Sequence, residues 1–152
     1  MRRDYFTLDV GHVAEDDDRK PVVVLEFDGP TGLLDERLTD EEGASLDAGE
    51  VDVAFRYTTA EDATDAEGVF SVTNRLTGGF ILETNTVAEP IMRFIQAARS
   101  DAAEEADGGR YEVVIHMQDG EEIVYDKRTL LVYDDEGDLR REHSLIPSGV
   151  EL

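Results

Sequence analysis

Five side chains in this sequence are of the types that hold ligands or move protons: His116, His143, Glu142, Tyr125 and Arg141. Imidazole titrates near neutrality and can pass a proton either way. A carboxylate, a phenol and a guanidinium around it would orient a small polar ligand. His116 and His143 fall on segments that read as different strands, so they could meet across a sheet. The pocket they would share lies between a helix at 90–103 and that sheet. The remaining histidine, His12, sits in a polar connection. A zinc or iron centre needs several converging ligands, and neither His-x-His nor His-Glu-x-x-His spacing occurs. No metal site and no cofactor is therefore expected. Residues 134–138, Asp-Asp-Glu-Gly-Asp, have the acidity of a calcium loop without its frame and its closing glutamate, and read as a turn.

Covalent chemistry finds less support. There is no cysteine, which excludes thiolate catalysis and disulfides. Ser71, Ser144 and Ser148 lie outside any Gly-x-Ser-x-Gly setting. Ser144 follows His143, and adjacent strand residues point to opposite faces. Gly29-Pro30-Thr31-Gly32 lacks the lysine of a phosphate loop, and no helix is expected after it. The balance leans away from an enzyme. Basic spots occur at Arg2/Arg3, Lys127/Arg128 and Arg140/Arg141, with Tyr125 and Tyr133 near the last two. Their expected role is pairing with the surrounding carboxylates. A transcription-associated regulator would need Arg128, Arg140 and Arg141 to cluster unpaired, and phosphate affinity falls steeply with salt, so nucleic acid is disfavoured as a partner.

The elements that must position these groups are mostly strands. Phe6, Leu8 and Val10 alternate with polar residues, and Pro21 opens the β-branched run 22–27. Residues 33–38 read as a short edge strand. Val51, Val53, Phe55 and Tyr57 alternate against Asp52, Ala54 and Arg56. Segments 69–76 and 80–85 flank Thr77-Gly78-Gly79 as a hairpin. One helix is expected, begun by Pro90 and stopped by Gly108-Gly109, with Ile91, Phe94, Ile95, Ala98 and Ala102 on its apolar face. Residues 110–144 read as a three-strand meander. A three-residue loop Gln118-Asp119-Gly120 would align Ile115 with Ile123 and Val113 with Tyr125, making one face apolar, with Gly120 left-handed. A two-residue loop would mix both faces. The strand 129–133 is apolar on both sides, so both should be covered, by the helix or by another subunit. A further strand is expected at 139–145. Strands grouped around one helix imply an α+β fold: a mainly antiparallel sheet of seven to nine strands with an amphipathic helix packed on it. The 152 residues fit one domain, 1–152, with acidic loops at 11–20, 39–50 and 59–68 and an apolar C-terminal tail at 146–152.

Charge indicates the solvent. Thirty-seven carboxylates against fourteen Lys and Arg give a net charge of −23, and only Lys20 and Lys127 are lysines. The acids are spread in short clusters along the whole chain, unlike an acidic tail. At molar salt the Debye length is roughly 3 Å, which screens the self-repulsion such a surface creates. A saline cytoplasm fits this composition. The N-terminus has two arginines but no apolar run to make it a secretory signal, and no segment approaches the roughly 18–20 apolar residues of a membrane span. A cytoplasmic protein without membrane contact is expected.

The opening Met1-Arg2-Arg3-Asp4-Tyr5-Phe6-Thr7-Leu8-Asp9-Val10, the stretch 69–85 with its Val-Thr-Asn-Arg, and His143-Ser144-Leu145-Ile146-Pro147-Ser148-Gly149-Val150 resemble a family of small acidic proteins from halophilic archaea. The family has no assigned activity, so the resemblance implies salt adaptation and a single domain, and no mechanism. The leading expectation is a non-enzymatic binding or assembly module that self-associates through Leu131, Tyr133, Ile146, Val150 and Leu152. The alternative is a small-ligand-binding protein or enzyme using the helix–sheet pocket. Lowering KCl below about 0.5 M should reduce the thermal midpoint as self-repulsion becomes unscreened. A midpoint unchanged across that range would count against salt adaptation.

Overall fold

Period-two burial organises most of the chain. A computed structural model describes residues 3–13, 19–30, 32–99 and 110–146. In order these form β1 (Phe6–Gly11), β2 (Val22–Phe27), α1 (Leu33–Arg37), β3 (Val51–Tyr57), β4 (Glu67–Asn74), β5 (Phe80–Val87), α2 (Ala88–Ala98), β6 (Tyr111–His116), β7 (Glu122–Lys127) and β8 (Leu131–Tyr133), with single 3-10 turns at Arg3–Tyr5 and Ala48–Glu50. The fold is α+β, and the eight strands divide between two four-stranded sheets, β1-β2-β6-β7 and β5-β4-β3-β8. Pairing is antiparallel except at β2–β6 and β3–β8.

In the first sheet Phe6, Leu8 and Val10 stand opposite Phe27, Leu25 and Val23. Val23 and Leu25 in turn meet Val113 and Ile115. The β6–β7 hairpin takes the three-residue loop: Ile115 faces Ile123, Val113 faces Tyr125, and Gly120 has φ 92°. In the second sheet Val53 meets Val72 and Phe55 meets Phe70. Gly68 lies opposite Tyr57, where an added Cβ would sit 2.4 Å from the Phe55 ring and from the Arg56 carbonyl oxygen, so only glycine lets these strands approach. The inner faces of both sheets and the apolar side of α2 form one buried cluster. Ala88, Ile91, Phe94, Ile95 and Ala98 supply the helix face, and the Phe94 ring meets Tyr111 edge-on at 5.2 Å. Among the described residues no helix is long and apolar enough to cross a membrane.

Four details depart from the sequence reading. Residues 33–38 are not a strand; they build α1, because Leu34 and Leu38 are buried one helical turn apart. A helix therefore does follow residues 29–32, though it is only five residues long. Helix α2 begins two residues before Pro90 and ends at Ala98 with Arg99 at its C-cap, short of the expected 103; Ala102 and the Gly108-Gly109 stop lie outside the described residues. The meander is broken as well: after β7 the chain leaves the first sheet, and β8 joins the second, parallel to β3. Finally, 139–145 is not a strand. It touches β8 and the residue before it through single bridges, Leu139 to Tyr133 and Leu145 to Leu130. Between them the Ser144 hydroxyl accepts from the Val132 amide at 2.8 Å and donates to the Arg140 carbonyl at 2.7 Å. The chain's own segment thus covers the free edge of β8.

Two phenols tie the inner layers to loop carbonyls. Tyr111 donates to Thr129 O at 2.6 Å and Tyr125 to Leu46 O at 3.2 Å. Burial pushes the Tyr125 hydroxyl up to about 12, with Asp47 and Glu50 adding to the rise. In an unfolded chain it would ionise near pH 10. Its contribution to stability is therefore complete below about pH 10 and is lost as pH rises toward about 12. Tyr125→Phe should cost about 1 kcal/mol at neutral pH. In denaturation at constant salt, the gap to the parent should narrow across that alkaline window. A gap independent of pH would show that the fold does not hold this phenol neutral.

Candidate functional site

The outward sides of the second sheet carry a concavity with a volume of about 1100 Å³. Its floor follows from alternation and register. The core takes Val53, Phe55 and Tyr57 of β3, which leaves Asp52, Ala54 and Arg56 on the other side. Ala54 stands between Ser71 of β4 and Leu131 of β8, and Ser71 faces Glu83 of β5. Arg56 stands between Val69 and Tyr133, and Asp52 beside Thr73. Small side chains at Ala54 and Ser71 keep the centre low. Val69 and Ser71, though on the outward side, are only 3% and 9% exposed.

That perimeter is cationic. Arg3, on the 3-10 turn before β1, reaches Glu83 at 3.5 Å and Asn85 at 3.4 Å. Arg75, just past β4, pairs with Asp52 at 2.5 Å, and that hydrogen bond raises its pKa further. The opposite wall comes from the end of β7 and the linker to β8: Asp126, Lys127, Arg128 and Thr129. Lys127 is 8% exposed, and its ammonium donates to Ala48 O at 2.6 Å and Val51 O at 2.7 Å. Burial lowers its pKa, Arg75 lowers it further, and Asp52 and Asp47 oppose both. Asp126 pairs with Lys20 at 3.0 Å.

The groove lining therefore holds five cations and three carboxylates, and each carboxylate has an ion-pair partner. Arg56 and Arg128 have none among the described residues. Guanidinium groups stay charged at any accessible pH and offer forked donors that match phosphate and carboxylate oxygens. The arrangement presents fixed positive charge to whatever enters the groove.

The five side chains singled out from sequence are dispersed. Tyr125 faces the core. His116 stands on the outer side of the first sheet, Nε2 3.1 Å from Glu122 and Nδ1 4.0 Å from Glu26. His143, Glu142 and Arg141 occupy the turn beside β8, where His143 Nε2 lies 3.2 Å from Glu61. Arg140 pairs there with Glu61 and Glu142, and the Glu142 carboxyl is held low first by its own backbone amide and then by Arg140. Arg128 in the groove and Arg140 in this network thus have different neighbours. Of the apolar set, Leu131 and Tyr133 line the groove wall, Ile146 is half-buried, and Val150 and Leu152 lie outside the described residues. Sequence reasoning noted Arg3 only as part of a basic spot and passed over Arg56 and Arg75 as site residues. The available signal was the polar side of β3, Asp52, Ala54 and Arg56, lying beside the equally small Ser71.

The chain belongs to a family of unknown function, DUF5793, whose family model matches residues 1–152. No curated protein and no solved structure gives a significant match.

Replacing Lys127 with Met keeps the apolar stem and removes the ammonium, leaving the Ala48 and Val51 carbonyls without this donor. The expected cost is about 2–3 kcal/mol in denaturant unfolding at constant salt. A loss under about 0.5 kcal/mol would show that other donors replace it.

Proposed function

We propose that the protein is a non-enzymatic binding module, adapted to a saline cytoplasm, that takes an anionic ligand in the groove of the second sheet. One observation carries this reading: among the described residues Arg56 and Arg128 stand in a concavity without ion-pair partners, in a chain of net charge −23. With carboxylates outnumbering cations more than two to one, a merely structural surface would neutralise both guanidinium groups. Binding is favoured over catalysis because the lining offers fixed charges, with its carboxylates paired and its one ammonium held by carbonyls. Molar salt weakens exposed ion pairs, while forked guanidinium contacts inside a concavity are screened less.

A second reading, self-association, is favoured by an apolar row on the outer side of the first sheet. Val24, Val114 and Val124 stand in register there, and Val124, on edge strand β7, is exposed. A second copy laid on that row would leave the groove open.

The direct test is thermal unfolding in about 2 M KCl with millimolar inorganic phosphate, pyrophosphate or citrate. Pyrophosphate should raise the midpoint by a few degrees, and the double variant Arg56→Gln/Arg128→Gln should fold normally and lose that shift. If no anion moves the parent's midpoint, the reading fails.

A further inference from the structure

We infer that the ligand of the groove is a small nucleoside phosphate, its phosphate groups over Ala54 and Ser71 and its base against Phe80. This rests on the groove being an anion site. The low floor at Ala54 and Ser71 is the point on which the perimeter guanidinium groups can converge: Arg3 and Arg56 from one end, Arg75 and Arg128 from the other. The rows of Asp52 and Arg56 are about 13 Å apart along the strands at 3.3 Å per residue. An arginine side chain reaches about half that distance, so an anion at the centre is within range of both ends.

The ring is argued from Phe80. It stands at the start of β5, opposite Thr73, on the groove margin, and is 54% exposed. It stacks on no other described aromatic ring. An exposed phenylalanine bordering a cationic concavity joins an apolar plate to an anion cradle, the pairing that reads a base and its phosphate together. Salt gives the plate its advantage. In a molar-salt solvent an ion held by charge alone competes with abundant chloride, whereas stacking is not screened. A ligand with an apolar face therefore gains over a bare anion there.

Small size follows from where the cations stop. The lining has two more cations than carboxylates, so the rest of the molecule carries more than the whole −23. A nucleic acid strand leaving the groove at either end would run over carboxylates. A mono- or dinucleotide ends within it.

The experiment compares ADP, pyrophosphate, adenosine and a short single-stranded oligonucleotide by calorimetric titration of the full chain in about 2 M KCl. ADP should bind roughly tenfold or more tightly than pyrophosphate. Phe80→Ala should remove that advantage and leave pyrophosphate binding unchanged, and Arg56→Gln/Arg128→Gln should weaken both. Equal affinities for ADP and pyrophosphate would overturn the nucleotide assignment while the anion site stands. Tighter binding of the oligonucleotide than of ADP would overturn the small-ligand assignment. If neither ADP nor pyrophosphate binds, the anion site itself fails, and with it this inference.

Discussion

One buried ammonium joins the two sheets. Lys127 ends β7 on the edge of the first sheet, and its Nζ donates to Ala48 O and Val51 O where the chain enters β3 of the second. Burying a cation costs several kcal/mol unless its protons are placed, and here two carbonyls at hydrogen-bond distance receive them. The tie has consequences in both directions along the chain. It fixes the turn before β3, where Asp47 caps the 3-10 turn and Glu50 closes the capping box. It also sets the exit from β7, so that Arg128 emerges into the groove and Thr129 O meets the Tyr111 hydroxyl before β8 begins. A guanidinium would serve this position poorly, since its planar fork spreads donors that two neighbouring carbonyls need from one point. The other lysine, Lys20, bridges to Asp126 one residue from the tie. That second pair stays within the first sheet, from the lead-in of β2 to β7.

What could be read from the sequence follows the range of each interaction. The β6–β7 register was legible because a slip of one residue would exchange the faces of Val113, Ile115, Ile123 and Tyr125, and only one choice makes a continuous apolar side. The face of α2 was legible for the same local reason. The division into two sheets was not. It depends on the parallel pairings β2–β6 and β3–β8, whose partners are far apart in sequence and leave no mark on each other's local pattern. Segment 139–145 misled because it follows a turn and has apolar Leu139 and Leu145 at its ends, yet a serine hydroxyl does part of the work of the ladder. Leu33 to Leu38 misled because so short a run contains both periods, and burial of Leu34 and Leu38 selects the helical one.

The candidate site was hidden by its composition. Attention goes naturally to histidine, because its proton moves at neutral pH, but His116 and His143 lie against glutamates on different parts of the molecule. The groove is assembled from residues with little individual signal: an alanine, a serine and arginines in a chain that has twelve. What makes them a site is adjacency across five strands and two 3-10 turns. Only the β3–β4–β5 part of that adjacency is set by local hairpins.

The net charge takes on a different sense beside this geometry. A uniformly acidic surface lowers the chance that any cation stays unpaired, since carboxylates are near at every point. Concavity and small side chains change the local balance. Across the floor of the second sheet the outward positions are Ala54, Ser71, Thr73 and Val69, which bring no charge, so neutralisation must come from the perimeter. There Asp52 and Glu83 are already engaged by Arg75 and Arg3. The residual field of Arg56 and Arg128 therefore points into a low-lying space bounded by backbone and apolar groups, where field lines are focused more than on an open surface. On the proposed reading, the acidity elsewhere suits the chain to salt and turns away long polyanions. The groove is where that rule is relaxed, over an area matched to a ligand of limited size.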